Sequence, residues 1–213
     1  DGQYHTLVGA SGLIVSVYFD SGRDAVYACE MDGTVLRWTL DDPAHPKKVG
    51  KLEERVYVLN TARNGQQVLC GTERGRVLAI DVESGTTTTL IDGGQPISAL
   101  GLSTSENKLI VGYWGGKLST VQLGSNVEQH LESVPKNAKS IVVSKDGYLA
   151  AVLDEAGNVR ILGMHDGRPL FTMQANDASL RALAFADDGQ LMGLGVVKTR
   201  MQLWELKSKQ VSK

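Results

Sequence analysis

The chain has 213 residues, of which 42% are hydrophobic and 22% charged, a composition that fits an ordinary globular domain with a sizeable core. Its net charge of −2 argues against a broad nucleic-acid surface, because phosphate binding needs clustered Lys and Arg. No apolar run approaches the ~20 residues that cross a bilayer, so we expect neither a nucleic acid nor a membrane as partner.

Short apolar runs separated by turn residues begin at the N-terminus. They cover residues 3–8, 13–19, 24–29 and 33–40. Runs of this length, bounded by Gly, Ser and Asp, are typical of β-strands joined by hairpins. A more polar fourth strand is predicted near 47–52. The preceding stretch, 41–46, contains two prolines, and we interpret it as a rigid surface loop between the third and fourth strands.

The same pattern recurs along the chain every 41 or 42 residues. The third strands carry one large apolar residue at this spacing, namely Trp38, Ile80, Val121, Leu162 and Trp204. The second strands give a parallel column of Ala28, Cys70, Val111, Val152 and Leu194. The first strands carry apolar residues at offsets 0, 3 and 5, as in Ile14, Val17 and Phe19. Because all columns keep one spacing, the chain is predicted to be an array of repeats.

Turn residues mark the same units. The hairpin between the first two strands contains Asn-Gly or Asp-Gly at Gly65, Gly147 and Gly189. The next hairpin has Gly33, Gly75, Gly116 and Gly157 in one column, from which Thr199 departs.

Four strands per unit predict an all-β fold, a β-propeller of four-stranded antiparallel blades with about five blades. We expect one domain over residues 1–213, with residues 3–8 as an outer strand that completes the last blade. The repeats lie near 13–52, 55–92, 96–132, 137–174 and 179–213.

Two third-strand segments, 33–40 and 200–206, resemble the WD-repeat family of β-propellers. The family's Trp-Asp pair appears here as Trp38-Thr39 and Trp204-Glu205, and its Gly-His pair as Gly9-Ala10. The resemblance implies blades held by apolar packing, without the family's buried hydrogen-bond network. Because the family most often has seven blades, a closed five-bladed ring, which we favour, and part of a larger ring both stay open.

The resemblance also implies a non-catalytic scaffold that binds a protein or peptide and needs no cofactor. No His has a partner at metal-ligand spacing, and no nucleophile elbow or phosphate loop is present. The adjacent carboxylates Asp154 and Glu155 leave a glycosidase-like enzyme, or a small-ligand propeller using the central channel, as the alternative.

The predicted binding face is the end of the propeller formed by loops between second and third strands. Tyr113 and Trp114 fall in one such loop, and loop aromatics bury a large area in a partner at little entropic cost. The predicted partner-binding residues are Trp114, Tyr113, Met31, Arg74, Glu155 and Lys198.

Cys29 and Cys70 are predicted to be free buried thiols, which favours a reducing compartment and a cytoplasmic location. The chain begins at Asp1 instead of Met, and it starts and stops at the same phase of the repeat. We therefore expect a sensor or docking domain of a larger regulatory chain or complex.

Overall fold

The computed structural model describes residues 6–20, 22–62, 65–103, 105, 107–131, 134, 137–174, 179–186, 189–197 and 200–206. These residues form nineteen strands and no helix. The strands are β1 (Ile14–Asp20), β2 (Ala25–Glu30), β3 (Thr34–Thr39), β4 (Asp42–Lys51), β5 (Val56–Ala62), β6 (Gln67–Thr72), β7 (Val77–Asp81), β8 (Thr87–Ile91), β9 (Ile97–Ser103), β10 (Lys108–Tyr113), β11 (Leu118–Gln122), β12 (Val127–Leu131), β13 (Ala138–Val143), β14 (Leu149–Asp154), β15 (Asn158–Gly163), β16 (Pro169–Gln174), β17 (Ser179–Phe185), β18 (Leu191–Val197) and β19 (Arg200–Leu206).

Consecutive strands pair into five antiparallel sheets, which we call blades 1 to 5. Blades 1 to 4 contain β1–β4, β5–β8, β9–β12 and β13–β16, and blade 5 contains β17–β19. The chain divides into two compact units, Asp1–Ile97 and Ser98–Lys213, which are described separately. The all-β prediction and the four-stranded repeat are confirmed.

Apolar contact between blades 1 and 2 forms the core of the first unit. Tyr27 and Cys29 of β2 share one buried cluster with Val56 and Leu59 of β5. Full burial of a Val or Leu side chain contributes about 1.5–3 kcal/mol to the free energy of unfolding. The repeat explains the pattern, because each sheet exposes an apolar face that only a neighbouring sheet can cover.

The second unit repeats this packing twice. Ile110 of blade 3 and Ile141 of blade 4 belong to one cluster. Leu153 of blade 4 and Leu183 of blade 5 belong to another. In this unit the first strands of blades 4 and 5 therefore pack against the blade before them.

The third-strand column predicted from sequence occupies equivalent sites, whereas in the first-strand column Val17 is exposed and its counterparts Leu59 and Ile141 are buried. Trp38, Ile80, Val121 and Leu162 are all buried, and the side chain of Trp204 lies outside the described residues. The turn glycines that the structure describes adopt positive φ, and Thr199 also lies outside the described residues.

The N-terminal segment behaves differently from the prediction that residues 3–8 complete the last blade. Residues 3–5 lie outside the described residues, and residues 6–8 belong to none of the described sheets. The N–H of Val8 donates to the carbonyl of Pro43 (3.1 Å), and the Trp38 indole Nε1 donates to the carbonyl of Val8 (2.8 Å). This segment therefore lies on blade 1, where Leu7 packs against a small apolar cluster that includes Trp38.

The interpretation of residues 41–46 as a loop is wrong, because β4 begins at Asp42. Prolines are tolerated here for two reasons. β4 lies at the edge of its sheet, where a missing N–H breaks no ladder bond. The register also shifts between the pairs Thr39–Asp42 and Arg37–Lys47, so residues 43–46 form an irregular segment within the strand.

Blade 5 departs from the predicted register by one residue. Leu183 pairs with Gly193, whereas its counterpart Ile141 pairs with Val152. Gly193, and not Leu194, therefore occupies the second-strand column. Leu194 is 38% exposed, whereas Val152 is fully buried.

Candidate binding surface

The turn that carries Trp114 joins β10 to β11 in blade 3. β10 ends at Tyr113, and Gly115 and Gly116 follow with φ of +83° and +86°, a backbone region that favours glycine. The N–H of Gly116 donates to the carbonyl of Tyr113 (3.1 Å), and the N–H of Tyr113 donates to the carbonyl of Lys117 (2.9 Å). These bonds fix the turn, and Trp114 is 47% exposed at its tip.

Tyr113 was predicted to lie in the loop and contact a partner, but it lies within β10 and is only 2% exposed. Its hydroxyl lies 3.2 Å from the Ser119 hydroxyl and donates to Glu128 (2.9 Å). Burial raises the pKa of Tyr113 to about 12. Every residue of β10 from Leu109 to Tyr113 is buried, so Tyr113 shares the burial of this inner strand, while the next residue begins the turn. The buried side chain of Tyr113 therefore fixes the last residue of β10, from which the turn starts.

Asn137, immediately before β13, connects the turns of blades 3 and 4. Its side-chain oxygen accepts the N–H of Gly115, and its Nδ2 donates to Glu155 Oε1 (3.0 Å). The N–H of Glu155 donates back to the Asn137 carbonyl (3.0 Å). We call Trp114, Asn137 and Glu155 the Trp114 surface. These hydrogen bonds fix the backbone of the turn that carries the exposed indole of Trp114, and they connect this turn through Asn137 to the exposed carboxylate of Glu155.

Two basic residues, Lys139 and Arg181, lie near the starts of β13 and β17, next to this surface. The register of β13 shifts between Ala138 and Ser140, so Lys139 is an extra bulge residue. β17 shifts between Leu180 and Ala182, which makes Arg181 the corresponding bulge residue. We call Lys139 and Arg181 the basic pair.

The ammonium group of Lys139 is partly dehydrated and lies near a second cation. Its Nζ donates to the Leu180 carbonyl (3.4 Å). Burial lowers the pKa of Lys139, and the charge of Arg181 lowers it further, while Glu155 and Asp154 oppose the shift. Sequence reasoning missed the basic pair, although the apolar offsets of 0, 3 and 5 contain the signal. A regular strand alternates with period two, so a step of three indicates one extra residue.

The remaining predicted partner-binding residues are not assembled into this surface. Met31 is half-buried and Arg74 exposed, on the corresponding turns of blades 1 and 2 in the first unit. The N–H of Met31 donates to the Leu13 carbonyl (2.8 Å), so its turn is fixed like that of Glu155. Lys198 lies outside the described residues. The roles of Met31, Arg74 and Lys198 stay predictions.

The adjacent carboxylates Asp154 and Glu155 have different environments. Asp154 is fully buried at the end of β14, where it accepts the N–H (2.8 Å) and the Nδ2 (2.9 Å) of Asn158. Each of its oxygens thus holds the turn before β15, whereas Glu155 is exposed. Within the described part of the chain, no group of three His, Cys, Asp or Glu side chains could hold a metal ion. The described residues also contain no helix able to cross a membrane.

No protein family and no curated protein matches the chain. Solved structures do match, among them a chain from a crystal structure of the mitotic checkpoint complex. The two chains have a TM-score of 0.75 and 18% sequence identity. The match covers 91% of this chain but only 61% of the other. At this identity the likeness shows the fold alone. Together with the sheets it confirms an all-β propeller of antiparallel blades, consistent with the WD-repeat resemblance.

Proposed function

We propose that this chain is a non-catalytic propeller domain that binds a protein or peptide through the Trp114 surface. The observation that carries the proposal is an indole that is 47% exposed on a turn fixed by Gly115, Gly116 and Asn137. Trp is enriched among residues that dominate interface energies, and a preformed turn loses little entropy on binding. The similar solved chain comes from a protein complex, which also supports a protein partner.

A docking role agrees better than catalysis with the carboxylates. Asp154 uses both oxygens to hold a turn, so it is not available as the second carboxylate of a glycosidase pair. We also propose a reducing, cytoplasmic location, supported by the two buried free thiols of Cys29 and Cys70. The residues that bind the partner are proposed to act within a larger regulatory chain or complex.

Substitution of Trp114 tests the proposal. We expect Trp114→Ala to weaken partner binding about 30-fold, corresponding to the ~2 kcal/mol of an interface hot spot. Its thermal midpoint should stay close to that of the unsubstituted protein, because the indole is half-exposed. The measurement is affinity capture from native lysate followed by mass spectrometry.

Tyr148→Ala is the matched control. Tyr148 is also an exposed aromatic, 59% accessible, and it precedes β14, whereas Glu155 follows the same strand at its other end. Tyr148→Ala should capture the same partners as the unsubstituted protein. Equal capture by Trp114→Ala would refute the proposed surface. A loss of stability as large as that of Leu153→Ala would assign Trp114 to the core.

A further inference from the structure

The first strands β1, β5, β13 and β17 share a bulge at one position, and the residue placed there differs sharply between the units. In the first unit the bulge residues are Val15 in β1 and Tyr57 in β5. In the second unit they are Lys139 and Arg181. A bulge redirects the extra side chain out of the regular alternation, and bulges are frequent next to functional sites. The bulge is thus repeated in these four strands, but its extra residue is a cation only in β13 and β17, next to the Trp114 surface.

The basic pair has no ion-pair partner among the described residues. The nearby Asp154 is committed to Asn158, and Glu155 Oε1 accepts the Asn137 amide. Lys139 donates a hydrogen bond to a neutral carbonyl, that of Leu180. Two like charges held close together repel each other, and burial strengthens this effect by removing water. An anion placed between them would relieve the repulsion.

The spacing connects this pair to the indole. Asn137 contacts both the Trp114 turn and Glu155, and Lys139 follows Asn137 by two residues along the chain. Two residues of extended chain span about 7 Å, which is also the distance between alternate side chains of an extended peptide. A bound strand with one side chain on the Trp114 surface beside Asn137 therefore brings an alternate side chain to Lys139.

We propose that the Trp114 surface recognises an acidic peptide segment, with a carboxylate of the peptide on the basic pair and an apolar or aromatic side chain on Trp114. The inference rests on the proposed function and specifies its ligand. Arg181 offers a planar fork that matches a carboxylate, and Lys139 offers a point charge beside it. The exposed carboxylate of Glu155 repels a second carboxylate of the peptide placed next to it. The surface therefore selects peptides by the positions of their acidic residues.

Two synthetic peptides test the inference by calorimetry on the full chain. The first is Ser-Glu-Gly-Phe-Gly-Glu-Ser, in which each Glu is an alternate residue to Phe, and its twin has Gln in place of both Glu residues. We expect the acidic peptide to bind at least 10-fold more tightly in dilute salt, corresponding to about 1.4 kcal/mol, with the preference shrinking as salt is raised. K139Q/R181Q should bind both peptides equally, whereas Trp114→Ala should weaken both.

K47Q/K48Q is the charge-matched control, because it also removes two exposed cations, on β4 of the first unit. It should keep the preference for the acidic peptide. R181Q alone, at an exposed side chain, covers the case in which the double variant at the basic pair fails to fold. Equal binding of the two peptides by the unsubstituted protein, or no binding of the acidic one at about 1 mM, overturns the inference. The proposed function would survive that result if Trp114→Ala still abolished partner capture, and it would fall separately if capture were unchanged.

Discussion

A single methyl group at Gly101 tests whether close contact between blades holds the second unit together. Gly101 lies in β9, and a Cβ built on it would sit 2.4 Å from Cγ2 of Ile141 in β13. Real Cβ atoms do not approach other atoms so closely, so β9 or β13 must move. Gly101 is not among the positive-φ glycines, and its backbone therefore accepts alanine without strain.

Two opposing effects set the magnitude of Gly101→Ala. Overpacking a core costs about 1–3 kcal/mol, whereas the reduced freedom of the unfolded chain returns about 0.4–1 kcal/mol. We expect a net loss of about 1–2 kcal/mol. For a chain of this length each kcal/mol lowers the thermal midpoint by roughly 2–4 °C, so the midpoint should fall by roughly 2–8 °C.

Thermal unfolding followed by circular dichroism measures the effect, with Gly163→Ala as the matched control. Gly163 likewise lies in a strand without positive φ, at the end of β15, but the nearest atom to its added Cβ is the flexible end of Asp166 at 3.2 Å. Its midpoint should stay the same or rise slightly. In an Ile141→Ala background, which removes the clashing Cγ2 and leaves contacts at 3.3 Å, Gly101→Ala should cost much less than in the unsubstituted protein. Equal midpoints for Gly101→Ala and Gly163→Ala in the unsubstituted background would refute the packing argument.

Two further predictions concern titratable groups. Burial raises the pKa of the Cys29 thiol to about 12 and also raises the pKa of the Cys70 thiol. Neither thiol should therefore react with a disulfide reagent at pH 8 until denaturant unfolds the chain. Rapid reaction of the native protein would contradict their burial. Hydrogen bonds from Lys51 and Thr34 lower the pKa of Asp32 to about 2, below the value in the unfolded chain. The contribution of Asp32 to stability is therefore present above about pH 4 and is lost as the pH falls towards 2. Thermal midpoints measured against pH should therefore fall less steeply over this range for Asp32→Asn than for the unsubstituted protein, and parallel curves would refute the role of Asp32.

The sequence was sufficient to predict the blades because their signal is periodic. A column such as Trp38, Ile80, Val121 and Leu162 is buried for one reason in every blade, and a shared cause leaves a shared pattern. The exact boundaries were harder to predict. The prolines of β4 argued for a loop, since the sequence does not reveal that β4 lies at a sheet edge.

The candidate site was predicted only in part, for a physical reason. The turn position of Trp114 was predicted because the phase of the repeat places it in the loop between the second and third strands of its blade. Tyr113 was misplaced because β10 extends through it, and the last residue of this buried strand is covered whereas the next residue lies in the exposed turn. Lys139 and Arg181 were missed because two adjacent strands bring them together, and residues 42 apart show no proximity in the sequence.

Repetition also separates scaffold from binding surface within this one chain. At positions between blades, the side chains stay apolar from one repeat to the next, because each must fill the same space. At the turn position of Trp114 the counterparts are Met31, Glu73 and Glu155, and the bulge position changes from Val15 and Tyr57 to the basic pair. The same bulge thus supports different chemistry from one blade to the next. Positions where the fold is constant and the chemistry varies are free to match a partner, and in the second unit they lie next to one another.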